Sequence, residues 1–499
     1  MQSITDTGSQ IRLRALLPDA VLFGADDIAV NGCTCDSRRV RPGDLFVALV
    51  GSVHDGHQFV AEAVARGAAA VVVQNPSCVK DAMAVPYCLT PHSGEAFGRI
   101  CQALAGNPSQ RLKVIGVTGT NGKTTTCCLI AAVLSAAHHD VGLLGTLGYF
   151  DGVELSEPKL TTPTADELAH WLVRMVANGC SHAIMEVSSH ALAQGRTAGI
   201  TFDAACVTNV RRDHLDYHRS MLDYRLTKSK IFEQLAPEGF GVINADDPTA
   251  ASYLPQLDGP VLTIGMRSAA EITATLIEQC ASEQTFLLTA GSDTMPVCTA
   301  MTGLHHVYNC LVAAAVGLAY GIDLPTVVRG LEAVTSVPGR LERIECGQPF
   351  RVFVDFAHTP DALAAALAAL REVTQQRLIC VFGAGGDRDR QKRPLMGRAV
   401  ELGADLAVIT NDNPRSEDPQ TIAGEILSGF RKPSAVRQIL DRREAIAWAL
   451  GEARPGDCVL IAGKGHEKQQ IIGAETIACD DVEIARSWLY EPHNWVTGS

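Results

Sequence analysis

Residues 113–126 read KVIGVTGTNGKTTT, in which the apolar run KVIGV ends in a loop carrying Gly119, Asn121 and Gly122, and Lys123–Thr124 open a helix-like stretch reaching about His138. A strand that feeds a helix through glycines is a phosphate cradle. Glycines let backbone N–H groups approach phosphate oxygens, the helix N-terminus adds positive dipole, Lys123 reaches the terminal phosphates, and Thr124 can hold Mg²⁺. The loop departs from strict GxxxxGK(S/T) spacing: Val117 stands where the first glycine belongs, and Gly116 lies one residue earlier. A chance glycine loop has no reason to sit between a strand and a helix, so Gly119, Thr120, Asn121, Gly122, Lys123, Thr124 and Thr125 are read as an ATP site.

Further apolar runs follow at helix-length intervals, VGLLGT, HAIMEVS, DAACVTNV and FGVINADD, which predicts a mostly parallel sheet with helices on its faces. A phosphate loop needs a metal partner at a neighbouring strand end, and Glu186 in MEVSSH and His214 in RRDHLDYH are the candidates. Taken alone, Glu186 fits a capping or salt-bridge role equally well. The i, i+4 spacing of His214 and His218 admits zinc, but Asp213, Asp216 and the ATP context favour Mg²⁺, a hard ion that takes oxygen ligands.

From Pro338 onward four apolar strands each run into a polar loop: VFVDFAHTPD, LICVFGAGGDRDR, LAVITNDNPRSED and CVLIAGKGHE. Ligands in open α/β sheets bind at the carboxyl ends of strands, which gathers Arg388, Asp412, Asn413, Arg415, Lys464, His466 and Glu467 at one edge. On the other side of the phosphate loop, DLFVALVG and AAAVVVQNP flank the helix-like FVAEAVARGA, and the turn-rich AGNPSQRLK reads as a linker. Three α/β domains are therefore expected, over 1–109, 110–337 and 338–499. Asp36 and Arg38 read as a surface ion pair of little energetic weight.

Composition agrees with a globular enzyme: 499 residues, 46% hydrophobic and 19% charged, too long for one core. A formal charge of −13 argues against a general nucleic-acid binder, because phosphate neutralisation needs a basic surface. The N-terminal stretch lacks a basic start followed by an apolar run, and no run of about 18 apolar residues occurs, so a cytoplasmic protein without a transmembrane segment is expected. The 16 cysteines form no CxxC pair and read as reduced, mostly buried thiols.

Taken in order, TCDSRRVRPGDLF, GVTGTNGKTTT, TTPTADE, EVSSHALAQGR, TNVRRDHLDYH, YRLTKSKIF, PGRLE, VDFAHTPDAL, GAGGDRDRQKRPLMG, DNPRSEDP and GKGHE resemble the motif series of the Mur ligase family over essentially the whole chain. The resemblance implies an N-terminal domain for a uridine nucleotide, a central P-loop ATPase and a C-terminal Rossmann-like domain for the incoming amino acid. By motif, Cys35 and Ser37 would contact the UDP moiety, Cys35 through its backbone. Thr161, Thr162, Ser188, Gln194 and Arg196 would line the muramoyl-peptide path, and Asn309, Arg340 and Asp355 would complete the ATP site. Lys228 matches the lysine that the family carbamylates, which makes it a carboxylate-like ligand for a second Mg²⁺ (N6-carboxylysine); without the resemblance it is an ordinary helix lysine. Arg388, Asp412, Asn413, Pro414, Arg415, Gly463 and Glu467 would bind the amino acid. The DNPR run resembles the signature for meso-diaminopimelate, whose distal carboxylate suits a pair of arginines and whose ammonium suits Asp412 and Glu467. The implied reaction is acyl-phosphate activation of the D-Glu γ-carboxylate of UDP-MurNAc-L-Ala-D-Glu by ATP, with Lys123, His214 and Lys228 at the catalytic centre, His214 or His358 as the amine's base, and a monomeric enzyme. His306 stands where relatives usually carry an adenine-contacting Asn, and Phe356 where Tyr is common. Rival readings are a folylpolyglutamate synthase, a ligase for another amino acid, a motion-driving P-loop ATPase whose turnover ignores amino acids, and a non-catalytic nucleotide binder.

Overall fold

In the computed structural model, which describes residues 10–51, 54–79, 85–280 and 282–491, three large sheets follow one another along the chain, within residues 21–89, 113–299 and 342–462, beside two two-stranded ones. The central sheet has eleven strands. Its heart is Lys113–Thr118, flanked in parallel by His182–Glu186 and Phe202–Val207, with Val141–Gly145 outside the former and Leu235–Asn244 and Val261–Gly265 outside the latter. Both faces are covered, so these strands read as near-continuous apolar runs. Helix Lys123–Ala136 packs one face with Leu304–Ala319 and Leu324–Glu332. The helices approach closely because Gly330 carries no side chain: a Cβ there would lie 2.5 Å from the Val133 Cα.

The sheet is mostly parallel, as expected, and its antiparallel strands lie at the rims. Ile272–Gln279, Gln284–Ala290 and Asp293–Thr299 form an antiparallel meander at one edge, and Gly148–Phe150 and Leu155–Ser156 turn back antiparallel at the other. Tight hairpins suffice for such pairs, so no crossover helix announces them in the sequence.

The third sheet runs in the order Glu342–Ile344, Arg351–Asp355, Cys458–Ala462, Leu378–Phe382, Leu406–Ile409 and Val436–Gln438, parallel in all but the first strand. The four expected strands are adjacent, and their polar loops leave one edge together. In the N-terminal sheet, Tyr87–Leu89, Ala70–Val73, Leu45–Val47 and Cys33–Thr34 are parallel and Val21–Phe23 closes it antiparallel. Helix Ser93–Leu104 carries this sheet onto the central unit: a Cβ on Gly94 would meet the Gln194 carbonyl oxygen at 2.4 Å, and one on Gly98 the Gly195 and Ala198 oxygens at 2.7 Å. Among the described residues no helix is long and apolar enough to cross a membrane.

Candidate active site

A cavity of about 900 Å³ lies where the phosphate loop faces the carboxyl edge of the third sheet. The loop is shaped by the neighbouring strand end, Thr208–Asn209. Thr120 N–H donates to the Asn209 carbonyl (2.9 Å), Asn121 N–H to its side-chain oxygen (3.0 Å), and the Thr208 hydroxyl to the Asn121 carbonyl (2.6 Å). Glycine is required twice: a Cβ on Gly119 would sit 1.9 Å from the Thr208 hydroxyl, and one on Gly122, at φ 85°, 2.4 Å from the Asn309 side-chain oxygen. Lys123 folds back over the loop, donating to the carbonyls of Gly119 (2.7 Å) and Thr120 (3.0 Å), and burial lowers its pKa against the pull of Glu186.

Glu186 is 2% exposed and accepts from the Thr124 hydroxyl (3.0 Å), the Thr146 N–H (2.7 Å) and the Thr146 hydroxyl (3.1 Å). A buried carboxylate ringed by hydroxyls beside a phosphate loop is a donor set for a hard cation. Arg340 reaches across from the third sheet's domain to the Thr124 hydroxyl (2.9 Å), its guanidinium stacked 4.7 Å over Phe356.

Behind the loop, Lys228 is 1% exposed, does not line the cavity, and donates to the same Gly119 carbonyl at 2.9 Å. Among the described residues no carboxylate is ion-paired with it; the Tyr224 ring lies 4.7 Å from its nitrogen. Burial, then the charge of Lys123, holds its pKa well below the usual lysine range, which favours a neutral, nucleophilic amine.

His214 sits at φ 53° before the short helix Leu215–His218, its Nε2 3.3 Å from Asp213, and burial brings its pKa to about 3. His218 turns instead to the Ser189 hydroxyl (3.0 Å), so the two histidines do not converge on one point. No group of three His, Cys, Asp or Glu poised for a metal occurs among the described residues. Asp213 meets the other domain through Lys392 (3.6 Å) and His358 (4.0 Å).

From Glu186 a polar track leads outward. The Thr162 hydroxyl donates to the Glu186 carbonyl (2.8 Å) and accepts from Ser188 N–H (3.0 Å); Arg196 donates to the Thr162 carbonyl (3.0 Å) and grips the Gln194 oxygen twice (2.9 and 2.6 Å). Thr161 meets Thr146 at 3.3 Å. Thr161 and Ser188 line the cavity. Cys35 and Ser37 do not: Ser37 donates to Glu62 (2.9 Å), and burial pushes the Cys35 thiol up to about 12. Arg38 pairs with Asp36 at 2.8 Å on the surface.

On the opposite wall, Arg388 and Arg415 stand together, and burial plus the neighbouring charge of Arg388 lowers the Arg415 pKa. Two guanidiniums facing one cavity suit an anion. Arg415 adopts φ 52° and donates to the Gly386 carbonyl (2.6 Å), while Pro414 lies so close to Gly386 that a Cβ there would be 1.8 Å from its oxygen. Asn413 donates to Glu467 (3.0 Å), and buried Lys464 donates to both (3.2 and 3.0 Å). Gly463 makes room for Asp412: a Cβ would lie 2.7 Å from its carboxylate. Asp355, at the end of its strand, accepts from Leu341 N–H (2.7 Å) and Ala357 N–H (2.8 Å). Asn309 accepts from the Thr126 hydroxyl (3.3 Å), and His306, 1% exposed, pairs through Nε2 with the Thr299 hydroxyl (3.1 Å). Sequence reasoning passed over Thr146, Thr208, Asn209 and Lys392, although the TNV run, polar residues ending an apolar strand, carries a signal for two of them.

Three family models match: the Mur ligase family catalytic domain over residues 29–102, the Mur ligase middle domain over 117–317, and the Mur ligase glutamate ligase domain over 339–465. A UDP-N-acetylmuramoyl-L-alanyl-D-glutamate–2,6-diaminopimelate ligase of Geobacillus thermodenitrificans is 43% identical over 463 residues, covering 91% of this chain and 94% of the relative. The chain belongs to the Mur ligase family. Another relative with that name, from Syntrophomonas wolfei, is 40% identical over 93% of this chain and 96% of its own length. Among solved structures, one of a UDP-N-acetylmuramoyl-L-alanyl-D-glutamate–2,6-diaminopimelate ligase superposes with a TM-score of 0.67 at 31% identity, covering 97% of this chain and all of that one. In this Mur ligase each of the three sheets lies largely within one of the matched regions, and the cavity lies between the second and third.

Proposed function

We propose that this Mur ligase adds meso-2,6-diaminopimelate to the D-Glu γ-carboxylate of UDP-MurNAc-L-Ala-D-Glu at the expense of ATP, as in peptidoglycan precursor synthesis. One observation carries the reading: a single cavity places the phosphate loop on one wall and the Arg388–Arg415 pair, with Asp412 and Glu467, on the other. A nucleotide on one side and a zwitterion with an extra carboxylate on the other is what an amide ligase must bring together.

ATP rests on Gly119–Thr125, with Asn309, Arg340 and Asp355 around it, and Lys123 turns from the loop carbonyls to the γ-phosphate. The Thr161–Arg196 track leads the peptide's γ-carboxylate past Glu186 to that phosphate, and Cys35 and Ser37 hold its uridine end. Attack forms a carboxylate–phosphate bond and releases ADP. The amine of diaminopimelate, held by Arg388, Asp412, Asn413, Pro414, Arg415, Gly463 and Glu467, then displaces phosphate and leaves an amide. His214, depressed toward about 3, and His358, also lowered by burial, are both neutral at pH 7; a His214 that holds Mg²⁺ has its lone pair engaged, which leaves His358 to take the amine's proton. Thr124, Glu186, His214 and a carbamylated Lys228 would hold Mg²⁺, which when bound offsets the charge of two approaching anions. Lys228 fits that modification because, among the described residues, its buried amine has no carboxylate in ion-pair contact. We divide the chain at 109/110 and 337/338 and assign a monomer to the cytoplasm, where nucleotide-linked substrates are made.

The test is phosphate release from ATP with UDP-MurNAc-L-Ala-D-Glu present, comparing meso-diaminopimelate, L-lysine and no amino acid. Release that needs both the nucleotide substrate and diaminopimelate supports the reading; release indifferent to both sinks it, and equal use of lysine sinks the specificity alone.

A further inference from the structure

Residues 411–415 carry the core of the proposed amino-acid site, and their backbone is held from two sides: Leu440, Arg442 and Gly386 of the third sheet's own region bond Asn411 and Asn413, and a hairpin outside that sheet holds Asp412 and Arg415. The hairpin Gln469–Ile472 and Glu475–Ala478 forms a separate two-stranded sheet whose Ile471, Ile472 and Ile477 remain partly exposed, so it contributes little to a core. Its polar groups go to the loop. The Gln470 side chain, 4% exposed, donates to the Asp412 carbonyl at 2.7 Å and the Asn411 carbonyl at 3.4 Å. Ile471 N–H donates to the Asn413 side-chain oxygen (3.0 Å), the Ile471 carbonyl accepts from Arg415 N–H (3.1 Å), and Gly473 N–H donates to the Arg415 carbonyl (2.7 Å). Arg415 thereby keeps the left-handed φ of 52°, a conformation a residue with a side chain holds only when its surroundings dictate it.

We propose that Gln470, with the hairpin that carries it, is a positioning residue that sets amino-acid specificity. This inference rests on the function proposed above. A distal carboxylate gripped by two guanidiniums needs Arg415 at a fixed distance and angle from Arg388, because forked hydrogen bonds are directional. Lysine has no such carboxylate and draws no benefit from that geometry. Loosening the loop therefore weakens diaminopimelate more than lysine, while ATP and the uridine substrate, bound elsewhere in the chain, are untouched.

Gln470→Leu removes the amide donor at similar volume and leaves the Asp412 carbonyl unpaired, while the Asn411 carbonyl keeps its bond from Arg442 at 3.2 Å. Steady-state kinetics on the full chain should then show KM for meso-diaminopimelate raised about tenfold and kcat within about threefold, with KM for ATP and for UDP-MurNAc-L-Ala-D-Glu unchanged. The kcat/KM preference for diaminopimelate over L-lysine should fall about tenfold. Gly473→Ala is the second variant: φ is 60° there and nothing lies within 4 Å of a new Cβ, so it strains the hairpin turn without filling the cavity, and a smaller shift in the same direction is expected. If the leucine variant does not fold, the alanine variant carries the test. A preference unchanged within twofold in the folded variants, or a common rise in all three KM values, overturns the role of Gln470 while the proposed function stands. A wild-type enzyme indifferent to diaminopimelate overturns both.

Discussion

Glu186→Gln separates the catalytic and structural meanings of the buried carboxylate. The replacement is isosteric, keeps an acceptor for the Thr146 N–H now at 2.7 Å, and lets the Thr124 and Thr146 hydroxyls turn to accept from the new amide. The stability cost is then about 1 kcal/mol, that of a normal hydrogen-bond rearrangement. The catalytic cost is larger, because the lost negative charge lies beside Lys123 and Thr124, where Mg²⁺ and the transferred phosphate are proposed to meet. Removing one preorganised electrostatic contact of this kind costs about 3–4 kcal/mol of transition-state stabilisation, or two to three orders of magnitude in kcat. Phosphate release measured across a Mg²⁺ titration, alongside a thermal melt, reads both quantities. The expected result is a melting temperature within a few degrees of wild type, a large fall in kcat and a half-saturating Mg²⁺ concentration at least about tenfold higher. A kcat within threefold of wild type with unaltered Mg²⁺ dependence would refute the reasoning and leave Glu186 as a strut for the Thr146 turn.

Gly386→Ala should cripple diaminopimelate use, since its Cβ would meet the Pro414 carbonyl oxygen at 1.8 Å and backbone cannot swing away; normal kinetics would show that the two loops need not interlock. Arg415→Leu, which removes one half of the proposed carboxylate fork, is expected to cost about 1.5–3 kcal/mol in diaminopimelate binding, read as a tenfold or greater rise in its KM with ATP saturation unchanged. His182 is buried against Tyr320, and desolvation brings its pKa to about 4. A histidine so depressed takes up a proton on unfolding, so its contribution is complete above about pH 6.5 and is lost as pH falls from there toward 4, at about 1 kcal/mol per pH unit. Urea midpoints of wild type and His182→Gln between pH 7 and 5 check this: the variant's midpoint should vary less steeply, and parallel curves contradict the assignment.

The phosphate loop was legible because its geometry is written in residue types: glycines where a Cβ would strike Thr208 or Asn309, then Lys and Thr at a helix start. The four strands of the third sheet were legible for a related reason, since strands buried on both faces are unbroken apolar runs that stop abruptly at polar loops. The meander of 272–299 escaped because its strands mix buried positions with half-buried and exposed ones and join by hairpins, so neither an unbroken apolar run nor a helix-length gap marks them. Within the site, Lys228 had only a faint local signal, its i, i+4 relation to Tyr224 on the buried face of Met221–Ser229. That its amine shares the Gly119 carbonyl with Lys123 depends on strands and helices far apart in sequence. The same holds for Asp213 facing Lys392 and for Gln470 beneath Asp412, contacts between loops that only the packed sheets bring together.

The central claim is that a substrate carboxylate becomes an acyl phosphate before the amine attacks, and oxygen tracing tests it directly. UDP-MurNAc-L-Ala-D-Glu labelled with ¹⁸O in both γ-carboxylate oxygens is turned over with ATP and meso-diaminopimelate, and the released phosphate is examined by mass spectrometry. The account predicts one ¹⁸O in each phosphate formed and one retained in each amide. Phosphate free of label, released while the carboxylate keeps both heavy oxygens, would mean that ATP is hydrolysed by water and that this cavity does not activate the carboxylate.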